Sequence, residues 1–266
     1  MQDSHTVKLK IQPEQVLKEI QNSGFITIDN CINLNSLSEM QNFWIDHFSE
    51  KNKKAFSSSN IYSYWQTLGD LNYSSSRNDK SVYLLRNRQY LWNKPINELT
   101  TLISNQLNEY RNLMLGLPKE FGFMFSESEE ANFTQVNCYP DGGHLLEHRD
   151  SNRQEVLIDC FFNLTFKGTH FEEGGLYIKI NDKKIYLDDL AKPGSVIFFN
   201  GNLLHGVDEI SSKSNIGRIA VYPHRQYFFR EPLPNYRKFL KQALVSIRKK
   251  IFKLPPPNQG NSSFVK

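Results

Sequence analysis

The chain has 266 residues, 39% of them apolar and 23% charged, with a formal net charge of +4. That length suits one large β-barrel-type domain with helices, or two small domains. Its longest apolar runs are short, such as Val196 to Phe199, which excludes a membrane-spanning helix of ~20 residues, and three cysteines, Cys31, Cys138 and Cys160, exclude a paired disulfide framework.

The N-terminal stretch MQDSHTVKLK carries no apolar signal core, so the expected compartment is reducing and cytoplasmic. The charge is uneven. Residues 232–266 hold eight Lys or Arg and no acid, which leaves 24 basic against 28 acidic residues, a net of −4, on the body of the chain. A mildly acidic body with a basic tail argues against a nucleic-acid partner over the active site.

Taken in order, residues 13–23 start at Pro13 and carry Val16, Leu17 and Ile20 at helical spacing, with Gly24 as the stop. The segment FITI then predicts a short strand. Asn35 and Ser36 can cap a second helix running to Phe48, with Leu37, Met40, Phe43, Trp44 and His47 on one side. His47 is expected to pack rather than to ligate.

Residues 49–95 are polar and turn-rich, interleaved with Tyr62, Tyr64, Trp65, Tyr73, Tyr83, Arg86, Arg88, Tyr90 and Trp92. Two readings stand: a loop region covering the core, or a substrate lid in which Arg86, Arg88 and Trp65 contact the substrate. A third helix is expected over about 95–115, with Ile96, Leu99, Ile103, Leu107 and Tyr110 as its apolar stripe.

From about 131 the chain turns strand-rich: ANFTQVNCY, VLIDCFFNLTF, GGLYIKI, KKIYL, SVIFF and RIAVYPH, divided by Gly, Pro and Asn turns. This predicts a mainly β protein with flanking α-helices, its core a double-stranded β-helix of the jelly-roll, cupin-like kind, with an open mouth for a site. Gly174 and Gly175 suit a tight turn or a close backbone approach, and Pro193-Gly194 suits a turn. The expected organisation is one domain over 1–254. A helical, lid-bearing part fills 1–130, the jelly-roll core 131–230, and a basic amphipathic helix 233–252 with Leu240, Ala243, Leu244, Ile247 and Ile251 on one stripe. Residues 255–266 read as a disordered tail.

The chemistry concentrates in Tyr139 to Asp150, YPDGGHLLEHRD. On a strand, residues two apart share a face, so His148 and Asp150 project together. His205 lies downstream in NGNLLHGVDE and Arg218 thirteen residues beyond. Two imidazoles and one carboxylate with the opposite face open suit non-haem iron, and a guanidinium pairs bidentately with a carboxylate. His144-Leu-Leu-Glu-His148 also fits a zinc-protease pattern. That pattern needs a helix, and Pro140 to Gly143 make a poor helix start. His5 and His170 have no ligand company and read as ordinary surface residues.

These residues resemble the Fe(II)/2-oxoglutarate-dependent dioxygenases, most closely the prolyl-4-hydroxylase branch. Tyr139, Gly142, His148 and Asp150 match its Tyr-x-x-Gly and His-x-Asp spacing. The strand DCFFNLTF, Gly174-Gly175, Pro193-Gly194 with SVIFF, His205 and Arg218 then follow in the branch's order. The resemblance implies Fe(II) held by His148, Asp150 and His205. It implies 2-oxoglutarate anchored through its far carboxylate by Arg218, with Tyr139 nearby and dioxygen as co-reactant. Arg225 and Arg230 compete for the anchor's role, though Arg225 falls at the opposite strand parity. Asn163 stands where the family often has a tyrosine, and an amide can still donate to a carboxylate. Asp150 favours hydroxylation, since halogenating members carry a small residue there. The implied reaction is hydroxylation of an unactivated C–H of a small molecule, an amino acid or natural-product intermediate, with succinate and carbon dioxide released. Hydroxylation of a protein side chain and a non-catalytic jelly-roll binding module stand as alternatives.

Overall fold

The computed structural model describes residues 6–49, 71–74, 80–90, 95–123, 130–150, 157–214 and 216–227. The expected basic helix at 233–252, the tail, Trp65 and most of the 49–95 stretch lie outside these residues. In chain order the elements are α1 (Pro13–Ser23), β1 (Phe25–Ile28), α2 (Leu34–His47), β2 (Leu71–Ser74), β3 (Val82–Tyr83), β4 (Leu85–Tyr90) and α3 (Glu98–Met114). There follow β5 (Glu130–Tyr139), β6 (His144–His148), β7 (Ile158–Asn163), β8 (Glu173–Ile180), β9 (Lys183–Tyr186), β10 (Val196–Asn200), β11 (His205–Ser211) and β12 (Arg218–Tyr227). A one-turn 3-10 helix, Leu187–Asp189, joins β9 to the turn before β10.

The strands form two antiparallel sheets, ordered β1-β10-β7-β12-β5-β4-β2 and β3-β6-β11-β8-β9. From β5 onward the chain passes back and forth between them: β5, β7, β10 and β12 in the larger, β6, β8 with β9, and β11 in the smaller. This alternation is the double-stranded β-helix expected from the strand pattern. In the larger sheet β7 and β10 are buried on both faces, and they therefore read as near-continuous apolar runs. In β10, Val196 and Phe198 join the cluster under the helices, while Ile197 and Phe199 join the cluster between the sheets. Each such buried side chain contributes roughly 1.5–3 kcal/mol.

The helices form where their caps and stripes require. Pro13 occupies the first turn of α1, and Gly24 ends it with φ +85 while its amide bonds the Ile20 carbonyl. The α2 start differs from expectation. Asn33 is the cap, accepting from the Asn35 amide, because its short side chain reaches back to the freed N–H while its own backbone stays extended. His47 packs, as expected, among Phe43, Trp44 and Phe48, and burial lowers its pKa. Asn97 caps α3, whose Thr100 hydroxyl accepts from the Trp44 indole at 2.8 Å and ties the two helices together.

Four strands escaped the sequence reading, the short β2 and β3 and the longer β4 and β11. β4 carries Arg86, Asn87, Arg88 and Gln89, and β11 opens with His205, Gly206 and Val207 before Asp208 and Glu209. Neither of these two shows apolar alternation: in β4 the inward arginines bond to polar side chains of β5, and in β11 the register shifts between Asp208 and Ser211. The lid stretch is thus strand in part, with β4 paired to β5 and β2 to β4. Among the described residues no helix is long and apolar enough to cross a membrane.

All three cysteines are free and buried, and burial pushes the Cys31 and Cys160 thiols up to about 12. A thiol so protonated and so covered is inert. Ellman's reagent at pH 8 is expected to find no reactive thiol in the folded protein and all three after denaturation. Stoichiometric labelling of the native state would contradict this packing.

Candidate metal centre

The two imidazoles meet because of strand pairing. β6 ends at His148 and β11 begins at His205, and the antiparallel register sets these residues opposite each other. Their rings stand 4.4 Å apart between centroids. Asp150, two residues past the end of β6, is held by its amide bonding the Gly201 carbonyl at 3.1 Å. Each imidazole has its Nδ1 on a carbonyl two residues back: His148 on Leu146 at 2.8 Å, His205 on Leu203 at 2.9 Å. A carbonyl only accepts, so Nδ1 carries a proton, and Nε2 is the atom that binds a metal when the imidazole is neutral. Both Nε2 atoms turn to Asp150, at 3.4 Å from His148 and 3.3 Å from His205.

The ligand atoms of these three residues lie within 4.8 Å of one another. Metal–ligand bonds of ~2.0–2.2 Å put neighbouring ligand atoms about 3 Å apart, so the spacing fits one ion with little movement. Backbone carbonyls on the outer imidazole nitrogens are the usual support for a metal-binding histidine. Two neutral nitrogens and one carboxylate suit Fe(II) or another divalent first-row ion. His205 is buried, while His148 and Asp150 keep 16% and 27% of their side-chain surface exposed. Burial alone would raise the Asp150 carboxyl, but the two imidazoles hold it well below its usual range. Burial would likewise lower His205, yet Asp150 overrides it and raises the imidazole.

Arg218 opens β12 opposite Tyr139 and is fully buried. Its Nε donates to Asp188 Oδ2 at 2.6 Å, Nη1 to the Tyr222 hydroxyl at 2.8 Å and Nη2 to Asn163 Oδ1 at 3.3 Å. Burial disfavours the guanidinium charge, and Asp188 outweighs it. Three expected site residues, Arg218, Tyr139 and Asn163, therefore do converge. Tyr139 lies with its ring 5.7 Å from the Arg218 Cζ, and burial pushes its phenol up. Arg225 lies seven positions along the same unbroken ladder, opposite Asn132.

Arg86 and Arg88 are not loop residues. They sit buried on β4, where Arg86 Nε donates to Asn137 Oδ1 at 3.1 Å and Arg88 Nε to Gln135 Oε1 at 2.6 Å. Gln135 approaches His224 at 3.5 Å, and His224 stands 3.6 Å from Asp159. A row of polar groups thus crosses the interior face of the larger sheet. The zinc-protease pattern fails on structure, since His144 to His148 is a strand and Glu147 pairs with Lys179 at 2.6 Å. His170 is structural, not a plain surface residue: its Nδ1 accepts the Phe166 amide at 3.1 Å and its other nitrogen meets Gln41.

Two residues of this pocket went unread in the sequence, Asp188 and Tyr222. Tyr222 shares strand parity with Arg218 four residues away, a signal that could have found it. Asp188 had none. Its carboxylate also accepts the Asn163 amide at 2.7 Å and the Leu176 amide at 2.5 Å. Gly175, φ +124, makes this possible: a Cβ there would stand 2.7 Å from Asp188 Oδ2.

No protein-family model and no curated protein matches the chain. Solved structures are similar in fold. A prolyl-4-hydroxylase from Pseudomonas putida shares 13% identity at a TM-score of 0.48, over 83% of this chain and 100% of that one. A prolyl hydroxylase from Trichoplax adhaerens, solved with a hypoxia inducible factor peptide fragment, shares 14% at 0.47, over 81% and 88%. A non-heme alpha ketoglutarate dependent carbocyclase from nogalamycin biosynthesis shares 11% at 0.47, over 94% and 96%.

The raised His205 must lose its proton before Nε2 can bind a metal, whereas Asp150 is already ionised across the neutral range. Mn(II) affinity is therefore expected to fall as pH drops from 8 to 6, with a proton released on binding. Titration calorimetry in two buffers of different ionisation enthalpy measures both, and pH-independent binding would count against a metal at this cluster.

Proposed function

We propose that this protein is an Fe(II)- and 2-oxoglutarate-dependent dioxygenase that hydroxylates a C–H bond of a small molecule. The observation that carries the proposal is the paired geometry of His148, Asp150 and His205: outer nitrogens spent on backbone carbonyls, inner nitrogens and a carboxylate turned to one point. These residues would hold iron on one side and leave the other side to the interior between the sheets. Iron held there with 2-oxoglutarate and dioxygen would supply the oxidising power to turn C–H into C–OH, with 2-oxoglutarate ending as succinate and carbon dioxide.

The remaining residues position and enclose. The Arg218 head, walled by Tyr139, Phe161 and Tyr222 at 5.4–5.9 Å, takes the far carboxylate of 2-oxoglutarate. Tyr222 and Asn163 hold two of its nitrogens in place for that contact, and their neutral groups can yield to a carboxylate. Arg88, Gln135, His224 and Asp159 give the interior wall hydrogen-bonding capacity for a polar substrate. A wall of paired, buried polar side chains suits a small polar molecule, whereas a protein segment would need an open groove.

Purified protein with Fe(II), 2-oxoglutarate and a panel of small polar metabolites is expected to release succinate coupled to product. Asp150→Ala should stay folded and lose that turnover; wild-type rates in this variant would remove the assignment. Coupling to peptides alone would replace the small-molecule reading with protein hydroxylation, and no succinate with any partner would favour a binding module.

Arg218→Ala is expected to raise the 2-oxoglutarate concentration needed for half-maximal turnover by about ten- to a hundred-fold, because the hydrogen bonds to the far carboxylate are lost and the Asp188 anion is left facing it, with Mn(II) affinity preserved. The same variant leaves Asp188 buried without its cation, a loss of ~3–5 kcal/mol of fold stability, so the melting temperature is measured alongside. An unchanged requirement would move the anchor to Arg225.

A further inference from the structure

We propose that Asp188 is a specificity-determining residue: its buried carboxylate neutralises Arg218 and limits how firmly the pocket can hold a dicarboxylate by its far end alone. This rests on Arg218 being the 2-oxoglutarate anchor. The pair is sealed, with both side chains 0% exposed and Nε to Oδ2 at 2.6 Å. Asp188 is fixed from three sides, by Arg218 Nε, by the Leu176 amide and by Asn163 Nδ2. The clearance at Gly175 lets the carboxylate sit against the backbone of β8. Its position is therefore built, not incidental.

The partners of Arg218 differ in kind. Tyr222 and Asn163 are neutral and can be displaced by an incoming carboxylate. Asp188 cannot be displaced without stranding a buried charge. The far-carboxylate subsite therefore offers oriented donors with the charge of Arg218 itself cancelled, and Arg86, which acts on Tyr139 and Tyr222 from β4, is common to both forms compared below. A ligand gains enough there only if its other end also binds, as the keto and carboxylate oxygens of 2-oxoglutarate would at the metal. Succinate, the product of the proposed reaction, lacks the keto oxygen. Cancelling the Arg218 charge weakens its hold and speeds its departure. An uncompensated arginine would retain it.

The test uses Mn(II)-loaded full-length protein, so that binding is read without turnover, and measures dissociation constants for 2-oxoglutarate, succinate and 2-oxopentanoate by calorimetry and ligand-induced thermal shift. Asp188→Asn keeps an oxygen for Arg218 Nε and removes the charge. Succinate is expected to bind this variant at least about ten-fold tighter, the size of a charge-assisted contact, while 2-oxopentanoate, which has no far carboxylate, is unchanged. Succinate binding that is equal or weaker overturns the proposal. So does a parallel loss for all three ligands, which is what a merely structural role would give. Where the variant fails to fold, the wild-type protein decides. Its preference for 2-oxoglutarate over 2-oxopentanoate should not exceed about ten-fold, the size of a hydrogen bond without net charge, and a larger preference would mean an uncancelled cation and overturn the proposal. If 2-oxoglutarate fails to bind the wild-type protein at all, the anchor reading itself falls, and this inference with it.

Discussion

The pairing of β6 with β11 is the constraint from which the rest follows. Backbone hydrogen bonds set His205 opposite His148, and no side-chain preference is needed to bring the imidazoles together. A one-residue slip would turn one imidazole to the other face of the sheet. The register is protected on the far side too, where β11 pairs β8 from His205 against Ile178 to Asp208 against Gly175. The same ladder that places the imidazoles therefore carries the glycine that admits Asp188, and the two halves of the site share one scaffold.

The interior between the sheets is unusual in being lined by so much polar matter. Arg86, Arg88, Asn137, Gln135, Asn163 and Arg218 are all buried. Burying such groups costs free energy unless each finds a partner, and the larger sheet provides partners by placing them in facing rows on β4, β5, β7 and β12. Apolar clusters lie on both sides of the sheet, and under the helices Trp44, Met40, Leu107 and Phe198 pack with the Trp44 indole bonded to Thr100. The polar rows of β4, β5, β7 and β12 thus share the inner face of the sheet with apolar neighbours such as Phe161, Ile197 and Phe199.

That mixture explains what could be read from the sequence. β5, β7, β8, β10 and β12 declared themselves because half or more of their residues are apolar. His148 and Asp150 were legible as neighbours because strand periodicity is two. His205 and Arg218 became legible only through the order of motifs around them. β4 was hidden, since Leu85-Arg86-Asn87-Arg88-Gln89 has neither helical nor strand periodicity in its apolar residues. Asp188 was hidden for another reason: it lies thirty residues from Arg218, and its partnership depends on a turn geometry and on the missing side chain of Gly175. The start of α2 moved because Asn33 outcompeted Asn35 as the cap. These are all cases in which a polar group chose its partner in three dimensions.

The placement of β1 has a consequence for how the chain can be cut. β1 is the outermost strand of the larger sheet, and it pairs residue for residue with β10 from Phe25 against Phe199 to Ile28 against Val196. The Gly194 carbonyl, just before β10, takes the amides of both Cys31 and Ile32, so the following turn is stitched to the same edge. Without that N-terminal segment, Val-Ile-Phe-Phe would present an unpaired apolar edge, a ready template for joining another copy. The first helix and strand therefore act as a guard rail against self-association, and a fragment trimmed to the jelly-roll core would trade solubility for compactness.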